Sequence, residues 1–464
     1  MLAGSAAAAG AFLAHKFGRG LQTDGFLSAY GLYVVLALGA QSFRLVVAPE
    51  LTRAAAGPGL GGELRAYVGA FLVVGVPATA VAVVLAGPIG DVLTGKLPHG
   101  GAVEASHALV WLIPAAFAQL LAGLFSAGLA ARDSYGVAAL AYSLGGIVGL
   151  VVFVVFADSH GLVSLAWGVA ANGAVTAAIP LAVLWRRGGL TGSAATLRPF
   201  SRIWRLVEGS AVPVSLQLFY VAALRLAAGL GIGRVTSFSY AYLLAATLVT
   251  ATAFSLGIVS SAPLTRRGLD PRAAADHVVY STWVSLAAVG AAAGVFALVG
   301  GKIVGALLGD EYRDVGKLVA LLGPWMVAFA IYSVLFPLVF VVRVHRWLFP
   351  VAILGTGVDI AIGLALRSAG GMTGIAIGLA LATFAVVGGL MFGISPRMVL
   401  PASVGLVRQG LLVGGAAALA FGVPALVVGA VPAAAIGIVV YGALLMVLRR
   451  HGLEDAVEYV RALH

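Results

Sequence analysis

Three charged residues lie inside long apolar stretches of this sequence. Asp359 interrupts the stretch Val351–Leu366, and Arg44 and Arg225 lie in two further apolar runs. A charge in the hydrocarbon of a membrane costs about 2.5–3.5 kcal/mol even on an insertion scale, so such residues are candidate functional sites. An arginine there can bind phosphate with its planar fork, and a carboxylate can take a proton or Na⁺. The alternatives are arginines that snorkel to the lipid head groups and an Asp359 that is structural.

Polar residues accompany both arginines along their predicted helices. Gln41 precedes Arg44 by three residues and shares its helical face. Gln217 and Tyr220 precede Arg225 on a broadly similar face. These side chains would line a polar cavity beside each arginine.

Asp24 has two interpretations of its own. It follows Thr23 at the predicted start of a helix, where a short polar side chain commonly accepts hydrogen bonds from free backbone N–H groups. It could instead pair with Arg19 or with an arginine in a cavity. The candidate substrate-binding residues are therefore Arg44, Arg225, Gln41, Gln217, Tyr220 and Asp24, with Asp359 as the candidate ion-coupling residue.

The composition around these residues is that of a polytopic membrane protein. Of 464 residues, 61% are hydrophobic and 10% are charged, whereas a soluble domain carries about 25% charged residues. A span needs about 20 apolar residues and must be helical in lipid, and we count about fourteen such runs. We predict an all-α fold with spans 1 to 14 at residues 2–14, 26–50, 66–93, 107–131, 135–157, 161–185, 209–232, 235–264, 278–308, 318–342, 347–366, 372–393, 409–428 and 431–448.

The sequence also argues against catalysis. It contains no GxxxxGK[ST] phosphate loop, so ATP hydrolysis is not expected. The eight histidines are scattered and there is no cysteine, so disulfides and thiolate metal sites are excluded and a metal centre is not expected. We predict a transporter with no cofactor and no catalytic residue rather than an enzyme.

Basic residues set the predicted orientation. If the loops alternate between sides, most of the 28 Lys and Arg residues fall on one side, including those of the loop Arg186–Arg205. The positive-inside rule makes that side cytoplasmic and places both termini there. The net charge of +11 thus reflects the topology of a membrane protein with basic cytoplasmic loops, and no nucleic-acid partner is predicted.

Weak internal repeats indicate two lobes. Leu51-Thr52-Arg53 recurs as Leu264-Thr265-Arg266, and Arg132 recurs as Arg343, at a nearly constant offset. Parallel repeats place a substrate site at their interface near mid-membrane. The predicted organisation is an N-lobe at 1–186, a cytoplasmic linker at 187–208, a C-lobe at 209–393, spans 13 and 14 at 394–448 and a cytoplasmic amphipathic tail at 449–464.

Five stretches carry a family resemblance. The most specific is Phe17–Phe26, which reads FG-x-G-x-x-TD-x-F; the others are Ala48–Arg53, Leu121–Leu140, Leu165–Val169 and Val334–Ile353. Together they resemble the MurJ/MviN-type lipid II flippases of the multidrug/oligosaccharidyl-lipid/polysaccharide exporter superfamily. The sequence departs from that family at Ala9 and Leu243, where the family carries arginines.

The resemblance implies a V-shaped bundle with a central cavity lined by spans 1, 2, 7 and 8, and a groove for a polyprenyl tail made by spans 13 and 14. It implies that an anionic polyprenyl-diphosphate-linked saccharide, a lipid II-like precursor of peptidoglycan, moves from the inner to the outer leaflet by alternating access. The driving force would be the membrane potential or a Na⁺ or H⁺ gradient. Membrane lipids and cell-wall synthesis proteins would be the partners.

Two alternative functions stay open. One is an ion-coupled drug or cation antiporter of the same superfamily, for which Asp359 is the deep carboxylate and the arginines are an obstacle because they repel cations. The other is a non-transporting scaffold of cell-wall assembly, which predicts that Arg44→Ala and Arg225→Ala leave cells unaffected.

Overall fold

The computed structural model describes residues 2–57, 59–192, 195–250, 252, 270–342, 344–449, 454, 458 and 459. Within these ranges only the backbone is described at residues 2–3, 38–46, 48–49, 341, 345 and 367–369. The predicted amphipathic tail and the second half of span 8 therefore lie largely outside the described residues.

The described part of the chain is helical and contains no strand. Two 3₁₀ turns, Asp310–Tyr312 and His345–Trp347, accompany the α-helices. The α-helices are α1 (Leu2–Phe17), α2 (Leu21–Ala55), α3 (Leu60–Val84), α4 (Ala86–Thr94), α5 (His99–Ala130), α6 (Tyr135–His160), α7 (Val163–Arg186), α8 (Pro199–Ala228), α9 (Arg234–Val249), α10 (Pro271–Leu308), α11 (Arg313–Leu321), α12 (Gly323–Val341), α13 (Leu348–Ile394), α14 (Pro396–Val427) and α15 (Ala430–Leu448).

A helix occupies the position of each predicted span, which confirms the all-α polytopic membrane fold. Within the described ranges, eleven helical segments are long and apolar enough to cross a membrane. The three predicted spans outside that set are α1 and α9, with 16 residues each, and α2, part of whose side chains are not described. The apolar composition of the sequence thus determines where the helices form.

Helix α13 corresponds to spans 11 and 12 joined without a loop. Its arms Leu348–Leu366 and Gly370–Ile394 meet at Gly371, whose φ of 53° lies outside the helical range. Glycine adopts this conformation without a steric penalty. A Cβ on Gly374 would clash with the carbonyl of Leu366, so the two arms fold back on each other.

The chain divides into two compact units, Met1–Thr236 and Ser237–His464. The first unit contains α8, which begins at Pro199 within the predicted linker, and the start of α9. The predicted lobes describe a repeat rather than a packing unit, and their limits stay a prediction.

In the first unit α5 packs against α2 and α7. Helices α6 and α7 also pack together, and both pairs approach closely at glycines: a Cβ on Gly25 of α2 would clash with the carbonyl oxygen of Gly101 of α5, and one on Gly168 of α7 with that of Gly149 of α6. Small residues let membrane helices approach in this way. This packing holds the start of α2 against α5.

In the second unit α10 packs against α11, α12, α14 and α15. The ring of Phe421 on α14 lies against Gly294 of α10 and Gly437 of α15. The hydroxyl of Tyr441 donates a hydrogen bond of 2.9 Å to the carbonyl of Ala287. These contacts fix α10, α14 and α15 as one bundle.

Candidate functional site

Asp24 lies in the first turn of α2 and its side chain is fully buried. Its carboxylate accepts hydrogen bonds from the N–H of Gly233 at 2.5 Å, the N–H of Thr236 at 2.8 Å and the hydroxyl of Thr236 at 2.5 Å. Gly233 and Thr236 lie at the start of α9, and the first N–H groups of a helix lack partners inside it. Asp24 therefore caps α9.

The interpretation of Asp24 as the N-cap of its own helix is wrong. Gly20 occupies the N-cap position of α2, and no side-chain hydrogen bond caps that end. Three bonds fill most of the acceptor capacity of the Asp24 carboxylate, which has about four lone-pair sites. Sequence analysis missed this role because the partners are distant in the chain.

The surrounding motif Phe17–Phe26 supports this connection. The guanidinium of Arg19 donates to the carbonyl of Gly233 at 3.3 Å, and the hydroxyl of Thr23 donates to the carbonyl of Gly18 at 3.0 Å. Gly18 and Gly233 have φ angles of 62° and 82°, in the left-handed region that favours glycine. The motif thus encodes the joint between the start of α2 and the start of α9.

Arg225 lies in the last turn of α8 and is exposed. Its side chain runs past Gly95, where an added Cβ would lie 3.1 Å from the Arg225 Cγ. Gly95 directly follows α4, so Arg225 lies at the end of the first unit that the sequence predicts to face outward.

Gln217 and Tyr220 occupy earlier turns of the same helix but are buried, with 6% and 0% of their surface exposed. Tyr220 faces α2, where its ring lies 3.7 Å from a Cβ placed on Gly31. These two residues are therefore enclosed in the first unit, whereas Arg225 is exposed. Their role in binding substrate stays a prediction.

Arg44 and Gln41 lie on the described backbone of α2, but their side chains fall outside the described residues. Their place on one helical face stays a prediction.

Asp359 lies in the first arm of α13 and only 7% of it is exposed. None of the residues in the described ranges donates a hydrogen bond to its carboxylate or pairs with it. Gly378 of the second arm lies against Gly363, so the antiparallel register places Asp359 near the level of the buried Thr383. A buried carboxylate in this setting suits reversible binding of a proton or a small cation.

A charged network joins α2, α3 and α8 at the end of the first unit that is predicted to be cytoplasmic. The hydroxyl of Tyr67 donates to Glu50, whose other oxygen accepts from Arg205 at 3.0 Å. Arg202 pairs with Glu63 at 2.6 Å, and its guanidinium carbon lies 4.6 Å from the centroid of the Tyr67 ring. Glu50 belongs to the family-like stretch Ala48–Arg53, but its partners Tyr67 and Arg205 are distant in the sequence.

The same network holds the connection between α7 and α8. Arg65 donates to the carbonyl of Gly192 at 2.8 Å, and Arg202 donates to that of Thr196 at 3.2 Å. The network therefore has a structural role at the predicted inner face.

The second unit contains an open apolar groove between α10, α12 and α14, with a volume of about 510 Å³. On α14 it is lined at every fourth residue by Gly410, Gly414, Ala418 and Gly422, which lie on one helical face. A Cβ on any of these three glycines would meet nothing within 4 Å. The remaining walls are Leu286, Val289, Gly290, Ala293, Gly294, Ala297, Leu298, Gly323, Val327, Val413, Ala417 and Phe421.

This groove differs from the one that the family resemblance implied. Span 13, which is α14, forms one wall as expected. The other walls belong to α10 and α12 rather than to α15, because Phe421 packs onto Gly437 and fills the space between α14 and α15. The groove has a size and an apolar lining that suit a hydrocarbon chain.

Solved structures show what this architecture resembles. The lipid II flippase MurJ in an inward closed conformation superposes with a TM-score of 0.75 at 15% identity, covering 96% of both chains. A multidrug resistance MATE family transporter of the MOP superfamily, facing inward, superposes with a TM-score of 0.64 at 14% identity, covering 89% of this chain and 95% of the other. No protein-family model and no curated protein sequence matches this chain.

At these low identities the comparisons show the fold. The chain has the fold of the MurJ-type flippases and of the MATE transporters, which confirms the resemblance drawn from the sequence at that level.

Proposed function

We propose that this protein is a flippase that moves an anionic polyprenyl-diphosphate-linked saccharide, a lipid II-like cell-wall precursor, from the inner to the outer leaflet. It would do so as a multi-pass protein of a bacterial cytoplasmic membrane with both termini in the cytoplasm. No covalent bond is made or broken, so the protein supplies binding surfaces and alternating access.

The observation that carries the proposal is the apolar groove of the second unit. Its glycine-bearing wall on α14 is open at Gly410, Gly414 and Gly422, so a long chain can lie along it. A compact drug needs no such length, whereas a polyprenyl tail does. The fold shared with the lipid II flippase MurJ over 96% of both chains supports the same proposal.

The head group would be bound by the arginines. In the proposed cycle Arg44 binds the diphosphate on the inner side, and Arg225 receives it near the outer end of the first unit, with Gln41, Gln217 and Tyr220 as polar lining. Two arginines match a diphosphate because their planar donors bind phosphate oxygens in pairs.

The energy would come from the membrane. When an anion moves from the negative inner side to the outer side, its free energy falls by about 2.3 kcal/mol per charge for every 100 mV of membrane potential. Asp359 provides a second route, in which a proton or Na⁺ returns through the second unit as the lipid leaves.

The proposal is tested by filling the groove. Gly414→Leu places a side chain into the groove without meeting any atom at Cβ, and it also favours the helix. We expect the purified full chain to retain a polyprenyl-diphosphate saccharide in native mass spectrometry, and Gly414→Leu to lose it.

Gly415→Leu is the matched control. Gly415 also meets nothing within 4 Å, but it does not line the groove. Equal lipid retention by both variants would contradict the proposed function.

A drug or cation antiporter is the second candidate, and it is favoured by the buried Asp359, which pairs with none of the described residues. It predicts that cells expressing the chain export cationic drugs and that Asp359→Asn abolishes the export. Lipid binding without drug export would exclude this candidate.

A further inference from the structure

The α10 wall of the apolar groove becomes polar at one end. Leu286 and Val289 line the groove, and the residues one turn before them are Thr282 and Ser285. Positions four residues apart share a helical face. The face of α10 that lines the groove therefore continues into two hydroxyl-bearing residues.

The α14 wall also becomes polar at this end of the groove. Val413 lines the groove, and Gln409 precedes it by one turn. The two helices run parallel, since a Cβ on Gly405 would contact Val279 and a Cβ on Gly290 would contact Val413. This register places Gln409 level with Ser285.

All three polar side chains are buried with an oxygen that has no partner. The Oγ1 of Thr282, the Oγ of Ser285 and the Oε1 of Gln409 find no hydrogen bond among the described residues. Two other buried hydroxyls of this unit are paired. Ser333 and Thr383 donate to the carbonyls of the preceding turn at 2.7 and 2.8 Å.

Unpaired buried oxygens destabilise the packing that encloses them. Because the three oxygens continue the walls of an open groove, a separation of α10 and α14 at this end would extend the groove and give the oxygens partners. In this structure the three side chains are enclosed.

The position of the polar end identifies the part of a lipid that it would meet. The predicted topology places it toward the cytoplasmic leaflet, and the groove extends from Leu286 to Leu298, about 18 Å of helix rise, toward the membrane centre. A lipid of the inner leaflet has the same orientation, with its head group toward the cytoplasm and its chain toward the membrane centre.

We propose that Thr282, Ser285 and Gln409 form a closed subsite for the phosphoester that joins the polyprenyl chain to its diphosphate head group. This inference rests on the proposed function and adds the side from which the lipid enters the groove. The hydroxyls and the amide N–H₂ group donate to phosphate oxygens, as such side chains do in nucleic-acid complexes.

Opening of the subsite is tested with single cysteines, because the chain contains none. Ser285→Cys places a thiol of nearly the same size at the subsite, and Ser333→Cys places one at a buried position whose hydroxyl is paired. In lipid nanodiscs we expect a small thiol reagent to label Ser285→Cys about tenfold faster than Ser333→Cys. Equal, slow labelling of both would overturn the opening.

The ligand is tested in the same preparation. Added polyprenyl diphosphate should slow the labelling of Ser285→Cys, and phosphatidylglycerol at the same concentration should not. Equal protection by both lipids would overturn the proposed occupant, since the subsite would then accept any inner-leaflet phospholipid.

A second variant removes the unpaired hydroxyl itself. Ser285→Ala should raise the melting temperature while weakening retention of polyprenyl diphosphate about tenfold, the loss expected for one hydrogen bond to a charged group. Ser333→Ala, which removes a paired hydroxyl, should not raise the melting temperature and should leave retention unchanged.

These results separate the two proposals. Loss of lipid from Gly414→Leu with none from Ser285→Ala overturns this inference alone. Absence of lipid from the unsubstituted protein overturns the proposed function and the occupant together, while the labelling rates without lipid still decide whether the subsite opens.

Discussion

Asp24 and Thr236 are 212 residues apart in the chain, yet the carboxylate of one accepts two hydrogen bonds from the other. The N–H of Thr236 donates at 2.8 Å and its hydroxyl at 2.5 Å. The positive end of the α9 dipole adds to the attraction of the buried carboxylate. The start of α2 is therefore bound to the start of α9 by a charged cap within the first unit.

Removal of this cap should destabilise the protein. Asp24→Leu leaves the N–H groups of Gly233 and Thr236 unpaired in a buried position, and we expect a loss of more than about 3 kcal/mol, since each hydrogen bond to a charged group contributes about 1.5–3 kcal/mol. Thr236→Val removes only the hydroxyl donor and should cost about 1.5 kcal/mol, the loss of one hydrogen bond to a charged group. Thermal unfolding in detergent measures both, and equal losses would contradict the cap.

Arg202 and Glu63 should be coupled energetically. The pair is partly buried, with side-chain exposures of 12% and 32%, and Arg202 also stacks on Tyr67. A double-mutant cycle with Arg202→Ala and Glu63→Ala should give a coupling of about 1–2 kcal/mol, after allowance for solvent screening.

The exposed pair Arg313 and Asp310 is the control for that cycle. Its side chains are 64% and 80% exposed, so its coupling should be below about 1 kcal/mol. Comparable couplings for both pairs would show that the inner network has no special role in stability.

Asp359 should control the response to an ion gradient. Asp359→Asn keeps the shape of the side chain but cannot release a proton or carry charge. We expect the variant to bind polyprenyl diphosphate normally and to flip it at a rate that no longer changes with an imposed Na⁺ or H⁺ gradient. Vesicles with and without each gradient provide the measurement, and an unaltered response would remove Asp359 from coupling.

Arg225 should affect transport without affecting stability. The residue is exposed, so Arg225→Ala should change the free energy of unfolding by less than about 0.5 kcal/mol. If it receives the diphosphate, the flipping rate should fall about tenfold or more, and Arg225→Lys should recover only part of it because the paired donors are lost. Arg397→Ala, an exposed arginine on α14, is the control.

Much of the fold could be predicted from the sequence because the membrane restricts the choices. A run of about 20 apolar residues must be a helix, so the position of each helix followed from composition. The two arms of α13 match predicted spans 11 and 12, but the absence of a loop between them did not follow, since it depends on one glycine, Gly371, with a positive φ.

The site was less predictable because it depends on contacts across the chain. The sequence marks Asp24 and Asp359 as candidates, but nothing local shows that Asp24 caps α9 or that Asp359 pairs with no residue in the described ranges. The role of Glu50 depends on Tyr67 and Arg205, which are distant from it in the chain. Burial and distant pairing are properties of the folded chain, and one sequence does not display them.

Small residues recur at every fourth position of α14, and they mark successive depths along the groove. Gly410, Gly414 and Gly422 lie at different depths, with about 6 Å of helix rise for every four residues. A leucine at one of them would end the groove at that depth and leave the remainder open. A series of such variants, offered lipids with different numbers of isoprene units, would therefore work as a ruler for the length of chain that the protein accommodates.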